Sequence, residues 1–234
     1  MRVSTGVDGV DELLQGGLPT DRLYVVSGPP GSGKTTFASH FIAQGAREGD
    51  RALFMSMHET ESELVADMSS YRSSIGDALQ SDSVLFVNAT DNNGHFRVSQ
   101  MLNGNSSAGP ENLGSKIRGF VESQGIDRVV IDSVMVLEYL FGEHDVNVMK
   151  LLMTLKKTAA TIVLISEMKD PSAYTDAHYL AHGVLFFHNY LDSDGMQRGI
   201  QVVKMRGTDI DTDIFEIEFG RRGLSVNTGV PVAY

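Results

Sequence analysis

The sequence contains no cysteine. That excludes a disulfide framework and a thiolate zinc site. It is also poor in cations: 19 Lys and Arg stand against 30 Asp and Glu, for a formal net charge of −11. A chain this acidic repels nucleic acid phosphates unless a local basic patch overrides the field. The adjacent basic pairs are short, Lys156-Lys157 and Arg221-Arg222, so nucleic acid is not an expected partner. No apolar run reaches the roughly 18 residues that cross a bilayer. The opening Met1-Arg2-Val3-Ser4-Thr5-Gly6 has no apolar segment behind it to make a signal peptide. Together these absences predict a cytoplasmic protein with no membrane insertion.

What is present is ordinary globular composition, 41% hydrophobic and 21% charged. The 234 residues suffice for one sizeable core and predict a single domain over 1–234. Apolar runs at 22–27, 51–57, 83–88, 127–132 and 161–166 read as strands. Helical periodicity lies between them, at 7–15, 34–47, from Thr60 onward, 112–123 and 145–157. Gly16-Gly17 would end the first of these helices, and Thr60-x-x-Glu63 is a capping box for the third. Strands alternating with helices call for a mainly parallel sheet with right-handed crossovers, an α/β fold. Residues 89–111, polar and rich in Asn, Gly and Ser, predict a long surface loop. Beyond residue 183 the pattern changes. Residues 183–188 and 199–205 are strand-like and joined through the turn sequence Asp192-Ser193-Asp194-Gly195. Residues 213–219 alternate apolar and acidic, so a β-rich extension closes the chain. The 11 methionines read as core filler.

The strongest local pattern is Gly28-Pro29-Pro30-Gly31-Ser32-Gly33-Lys34-Thr35, followed by Thr36. The glycines let backbone N–H groups converge on phosphate oxygens. The loop opens a helix, whose N-terminus adds partial positive charge. Lys34 would reach the β- and γ-phosphates of ATP, and the Thr35 hydroxyl would bind Mg²⁺. The context agrees, because the loop sits between an apolar strand and an amphipathic helix.

Two carboxylates depend on that loop for their meaning. Val129-Val130-Ile131-Asp132-Ser133 ends a strand with an Asp beside the phosphates, where it can hold Mg²⁺. Alone, such an Asp is more often a helix cap or turn residue. Glu59 lies just past the strand 51–57 and could orient or deprotonate the attacking water. It could equally be a solvated first-turn Glu favoured by the helix dipole. Ser166-Glu167 ends another strand near the phosphates, where it could simply turn the chain. His178 and His182, four apart, could share a metal on a helix, but ordinary polar roles are favoured.

Three separated segments carry a resemblance. They are Ser4-Thr5-Gly6-Val7-Asp8-Gly9-Val10-Asp11-Glu12-Leu13-Leu14-Gln15-Gly16-Gly17-Leu18-Pro19, then Ile131-Asp132-Ser133, then Val203-Lys204-Met205-Arg206-Gly207-Thr208-Asp209. In this order they resemble the KaiC branch of the RecA-like ATPases, from about residue 3 to 226. The resemblance implies a RecA-like core, ATP with Mg²⁺, and a homo-oligomeric ring, a hexamer among the sizes it admits, with sites between subunits. Lys204 and Arg206 fall on the family positions that reach a neighbour's γ-phosphate, and the family's equivalent of the strand end Ser166-Glu167 implies a γ-phosphate sensor there. They are two apart on an expected strand, so both leave on one face. Without the resemblance, a solvated face of the terminal sheet would be the simpler reading.

The departures matter. KaiC carries two such domains and this chain carries one. The family's paired glutamates after the second strand are His58-Glu59 here, with Glu59 matching the second, which implies slow or altered hydrolysis. Residues 175–190 align loosely with the stretch in which KaiC phosphorylates adjacent Ser and Thr. His178-Tyr179 or Leu180-Ala181 stand at the acceptor positions, and neither offers a hydroxyl of that kind. The favoured function is an ATPase switch acting on an unidentified partner protein. The alternatives are a RecA-like enzyme on DNA, or a nucleotide-binding scaffold with little turnover. DNA enzymes need basic or aromatic loops after the Asp-bearing strand, and residues 134–145 are acidic here.

Overall fold

The computed structural model describes residues 1–71, 75–89, 110–135, 145–168, 170, 172–192 and 195–232. Most of the expected polar loop 89–111, the acidic stretch after Met135 and the middle of the 192–195 turn lie outside these residues. In chain order the elements are β1 (Arg2–Val3), α1 (Val10–Leu13), β2 (Leu18–Pro19), β3 (Leu23–Gly28), α2 (Lys34–Glu48) and β4 (Ala52–Ser56). Then come α3 (Glu61–Met68), α4 (Ile75–Leu79), β5 (Val84–Asn88), α5 (Pro110–Gln124), β6 (Arg128–Asp132), α6 (Asp145–Leu155) and β7 (Thr161–Glu167). The chain closes with α7 (Asp176–Leu180), β8 (Gly183–Asp192), β9 (Gly195–Met205), β10 (Ile214–Gly220) and β11 (Gly223–Pro231).

Among the described residues, nine strands form one sheet in the order β11-β10-β9-β8-β3-β7-β6-β4-β5. From β8 through β5 the neighbours are parallel. From β8 to β11 they are antiparallel. This is the expected α/β architecture with an antiparallel extension. The two-residue side-chain period sorts the core into layers. Tyr24 and Val26 of β3 join Phe37, Phe41, Leu64 and Ile75 on one face. Leu23 and Val25 join Leu113, Ile117, Leu151 and Leu155 on the other. Each such fully buried side chain contributes about 1.5–3 kcal/mol. Helix α2 buries Phe37, Ala38, Phe41 and Ile42, spaced at helical intervals, and stops at Gly49 in a left-handed cap.

The first helix is shorter than its periodicity predicts. Asp8 pairs with Ser225 of β11, and Gly9, at φ 87, lies so close to the Val226 carbonyl that a Cβ would sit 2.2 Å away. Asp8 and Gly9 are therefore held against the last strand, and the helix begins only at Val10. That strand, α4 and the β1/β2 pair were not legible in local pattern. The capping box is present, with Glu63 N donating to Thr60 Oγ1 and Thr60 N donating to Glu63 Oε2.

A buried cation on β6 ties the N-terminal segment to α2 and the turn after it. Arg128 is 0% exposed and pairs with Glu48 and with Asp50, the latter at 2.6 Å. Its Nη1 donates to the carbonyls of Ser4 (2.7 Å) and Phe41 (3.1 Å), and its guanidinium lies 4.9 Å from the Phe41 ring centroid. The N-terminal segment is thereby fastened to α2.

Candidate nucleotide site

Parallel strands finish at one edge of the sheet, and this edge gathers the candidate residues. Gly28 of β3 is level with Glu167 of β7, and Ser56 of β4 with Asp132 of β6. Ligands of open α/β sheets bind outside these carboxyl ends. Gly28, at φ 150, passes so near the Phe187 carbonyl that a Cβ would lie 2.3 Å from its oxygen. Gly33, at φ 106, caps α2 and leaves no room for a side chain beside Phe219. The loop conformation thus requires glycine at both positions.

Lys34, 4% exposed, donates to the Pro29 carbonyl at 2.9 Å and pairs with Glu167 Oε1 at 3.0 Å. Thr35 Oγ1 donates to Asp132 Oδ2 at 2.8 Å. Burial pushes the Asp132 carboxyl upward, with the Thr35 hydrogen bond, His58 and Lys34 opposing. A buried carboxylate with a hydroxyl against it suits Mg²⁺, which takes one or two protein oxygens and completes its shell with water and phosphate. Thr35 and Asp132 are the residues that would hold it.

Glu59 stands between β4 and the Thr60 cap of α3, outside the first turn of that helix. Its N–H donates to Ser56 Oγ at 2.9 Å, and its carbonyl accepts from Asn88 Nδ2 at 3.2 Å. These two bonds fix the backbone at Glu59. Burial pushes this carboxyl up, with His58 opposing and Asp132, Asp67 and Glu63 reinforcing. His58 Nε2 lies 3.5 Å from Glu59 Oε1.

A cavity of about 500 Å³ opens over the loop. Pro30, Gly31, Gly33, Lys34, Thr35 and Thr36 floor it, and Tyr71, Glu167, Arg198 and Phe219 wall it. Tyr71, Arg198 and Phe219 escaped the sequence reading. Arg198 Nε donates to the Gly31 carbonyl at 3.0 Å, and its guanidinium lies 5.1 Å from the Phe219 ring centroid. Asn189, the cross-strand partner of Arg198, donates to the Pro30 carbonyl at 3.1 Å. The β8/β9 hairpin therefore overhangs the sheet edge and clamps the loop. No local motif marks it, because strand and helix patterns do not report what a strand reaches beyond its last neighbour.

Lys204 and Arg206 are elsewhere. Lys204 is on β9, while Arg206 follows its end in a turn, not on the strand as the spacing predicts. Both nonetheless reach one spot. Lys204 Nζ donates to the carbonyls of His178 (3.0 Å) and Tyr179 (3.1 Å), and Arg206 Nη2 donates to that of Tyr179 (3.3 Å). Arg206 N donates to the carbonyl of His182, whose own N–H donates to Leu23 at the start of β3. Gly28 is five residues further along that strand, about 17 Å at roughly 3.3 Å per residue. These two cations are thus at the edge opposite their own phosphate loop. The two histidines have structural partners: His178 Nδ1 meets Thr175 Oγ1 at 2.8 Å, and His182 Nδ1 accepts from Leu23 N at 3.2 Å.

A glycine loop between a buried strand and a helix, with a strand-end Asp against its Thr, defines a RecA-like P-loop nucleotide-binding fold. A family model described as "ATPase: KaiC" matches residues 3–229, and the chain belongs to that family. It is 25% identical to the circadian clock oscillator protein KaiC of Parasynechococcus marenigrum (strain WH8102) over 96% of this chain and 44% of the relative. It is 26% identical to the circadian clock protein KaiC3 of Synechocystis over 89% of this chain and 42% of the relative. The chain thus spans less than half the length of these two proteins. The crystal structure of the KaiC-like protein PH0186 from Pyrococcus horikoshii OT3 superposes with a TM-score of 0.81 at 26% identity, covering 97% of this chain and 99% of that one. Among the described residues no helix is long and apolar enough to cross a membrane.

Proposed function

We propose that this protein binds and slowly hydrolyses Mg-ATP and serves as a nucleotide-dependent oligomeric switch for a partner protein. It would work in the cytoplasm, as one domain over residues 1–234. The observation that carries the reading is that Lys34 and Thr35 line one cavity at the carboxyl edge of the sheet, with Asp132 bonded to Thr35. The loop from Gly28 to Thr36 cradles the phosphates with its N–H groups. Lys34 exchanges Glu167 for the β- and γ-phosphates. Thr35 and Asp132 would hold Mg²⁺, which would offset the charge of the phosphates. Glu59, its proton affinity raised by burial, accepts a proton from the attacking water or orients it.

Lys204 and Arg206, too far from their own loop, act on the ATP of the next subunit in a ring. A cation supplied from outside the nucleotide-holding subunit stabilises charge in the transition state. It also makes ATP a bridge, so assembly should depend on nucleotide.

The test is binding of a fluorescent ATP analogue and single-turnover hydrolysis. Lys34→Ala should abolish binding, because it removes the cation paired with the phosphates. Glu59→Gln should keep binding and slow hydrolysis by about 10²- to 10⁴-fold. Near-normal affinity in folded Lys34→Ala protein would place the phosphate site elsewhere. The His58–Glu59 contact favours one second reading, a nucleotide-binding scaffold, because His58 opposes the burial that raises the proton affinity of Glu59. Absence of turnover in the wild type, with intact binding, would select it.

A further inference from the structure

Three cations from two chain segments converge on the C-terminal carbonyls of α7. Lys204 and Arg206 hold those of His178 and Tyr179. Lys156, one residue past α6, donates from Nζ to the next carbonyl, Leu180, at 2.7 Å. A fourth cation, Arg22, donates to the Arg206 carbonyl at 2.7 Å and fixes the backbone that carries that side chain. Among the described residues, no carboxylate lies within ion-pair distance of any of the four. This is an odd place for such a gap, in a chain with 30 acidic residues and 19 basic ones.

The carbonyl end of a helix offers roughly half a negative charge, and α7 is only five residues long. That leaves most of the positive charge of the cluster uncompensated. The mutual effect is visible: burial and then Arg206 lower the Lys156 ammonium, and burial, Arg206 and Lys156 lower that of Lys204. The cluster is therefore built to receive a multiply charged anion. It lies level with the start of β3, so its own phosphate loop cannot supply one.

We propose that Lys156 is a third cation in the set that one subunit presents to the nucleotide phosphates of its neighbour. The α7 carbonyls hold all three side chains in place. The inference rests on the shared-site reading of Lys204 and Arg206. Lys156 spends one N–H on Leu180, which leaves two to meet a phosphate oxygen.

The experiment uses the full chain carrying Lys156→Gln or Lys156→Arg, alone and mixed with Glu59→Gln protein. Lys156→Gln should lower kcat by roughly tenfold or more, the loss expected for one charged hydrogen bond. It should also raise the ATP concentration needed for assembly, and Lys156→Arg should restore most of both. Mixing Lys156→Gln with Glu59→Gln should recover activity, since some interfaces then pair an intact Glu59 with an intact Lys156. Wild-type kcat and assembly in Lys156→Gln would overturn the proposal. So would failure of co-assembled mixtures to recover, because a residue that serves only its own subunit's ATP cannot be rescued by a neighbour. Arg206→Ala mixed with Glu59→Gln is the reference. If that pair also fails, the shared site itself falls. If it recovers while the Lys156→Gln pair does not, only Lys156 is removed from the set.

Discussion

Replacing Arg128 with Ala should be among the most destabilising single changes in this protein. The guanidinium is fully buried and uses Nε, Nη1 and Nη2 on four partners: Asp50, Ser4, Phe41 and Glu48. Glu48 and Asp50 are partly exposed and can rehydrate, at 39% and 28%. The Ser4 and Phe41 carbonyls lose their donor, and a cavity opens where the side chain crosses the Phe41 ring and packs against Gly45. Breaking a buried ion pair from one side costs about 3–5 kcal/mol. In a domain of this size each kcal/mol moves Tm by about 2–4 °C, so the expected drop is about 6–20 °C. Urea unfolding at neutral pH, followed by circular dichroism, gives the free energy directly. Arg128→Met should fall between Ala and wild type, because it fills the space without supplying donors. A loss below about 1 kcal/mol for Arg128→Ala would mean that the cluster contributes little and that Ser4 is fastened by other contacts.

Three further outcomes follow from the same geometry. Glu167→Gln removes the competitor for Lys34, a pair worth up to about 1 kcal/mol, so the ATP analogue should bind up to about fivefold more tightly; weaker binding would show that Glu167 works with the nucleotide. Burial and then Lys204 press the His178 imidazole down to about 4, so below pH 6.5 the unfolded chain takes up a proton that the folded one refuses. Its stabilising effect, full above 6.5, should fall by about 2 kcal/mol by pH 5; His178→Asn should flatten that part of the urea midpoint profile, and an unchanged profile would assign the loss to other groups. Single-stranded DNA should not bind at physiological salt with or without ATP, given the net charge of −11; tight, salt-sensitive anisotropy changes would overturn this.

What the sequence determined by itself is what depends on neighbours along the chain. The phosphate loop needs Gly28, Gly31 and Gly33 at fixed spacing before Lys34 and Thr35, and the cap of α3 needs Thr60 and Glu63 three apart. Strand periodicity gave the alternation of strand and helix, hence the parallel half of the sheet. Tertiary structure decided what depends on strand order. Thr35 and Asp132 are 97 residues apart and bond only because β7 alone separates β3 from β6. Tyr71, Arg198 and Phe219 come from three distant segments, and only closure of the sheet by β8 to β11 brings Arg198 and Phe219 over the loop. The same holds for Lys156, Lys204 and Arg206, which meet at α7 because β9 runs antiparallel to β8 and ends where α6 ends. Side-chain period reports which face a residue takes, but the partner on that face is set by packing across the whole chain.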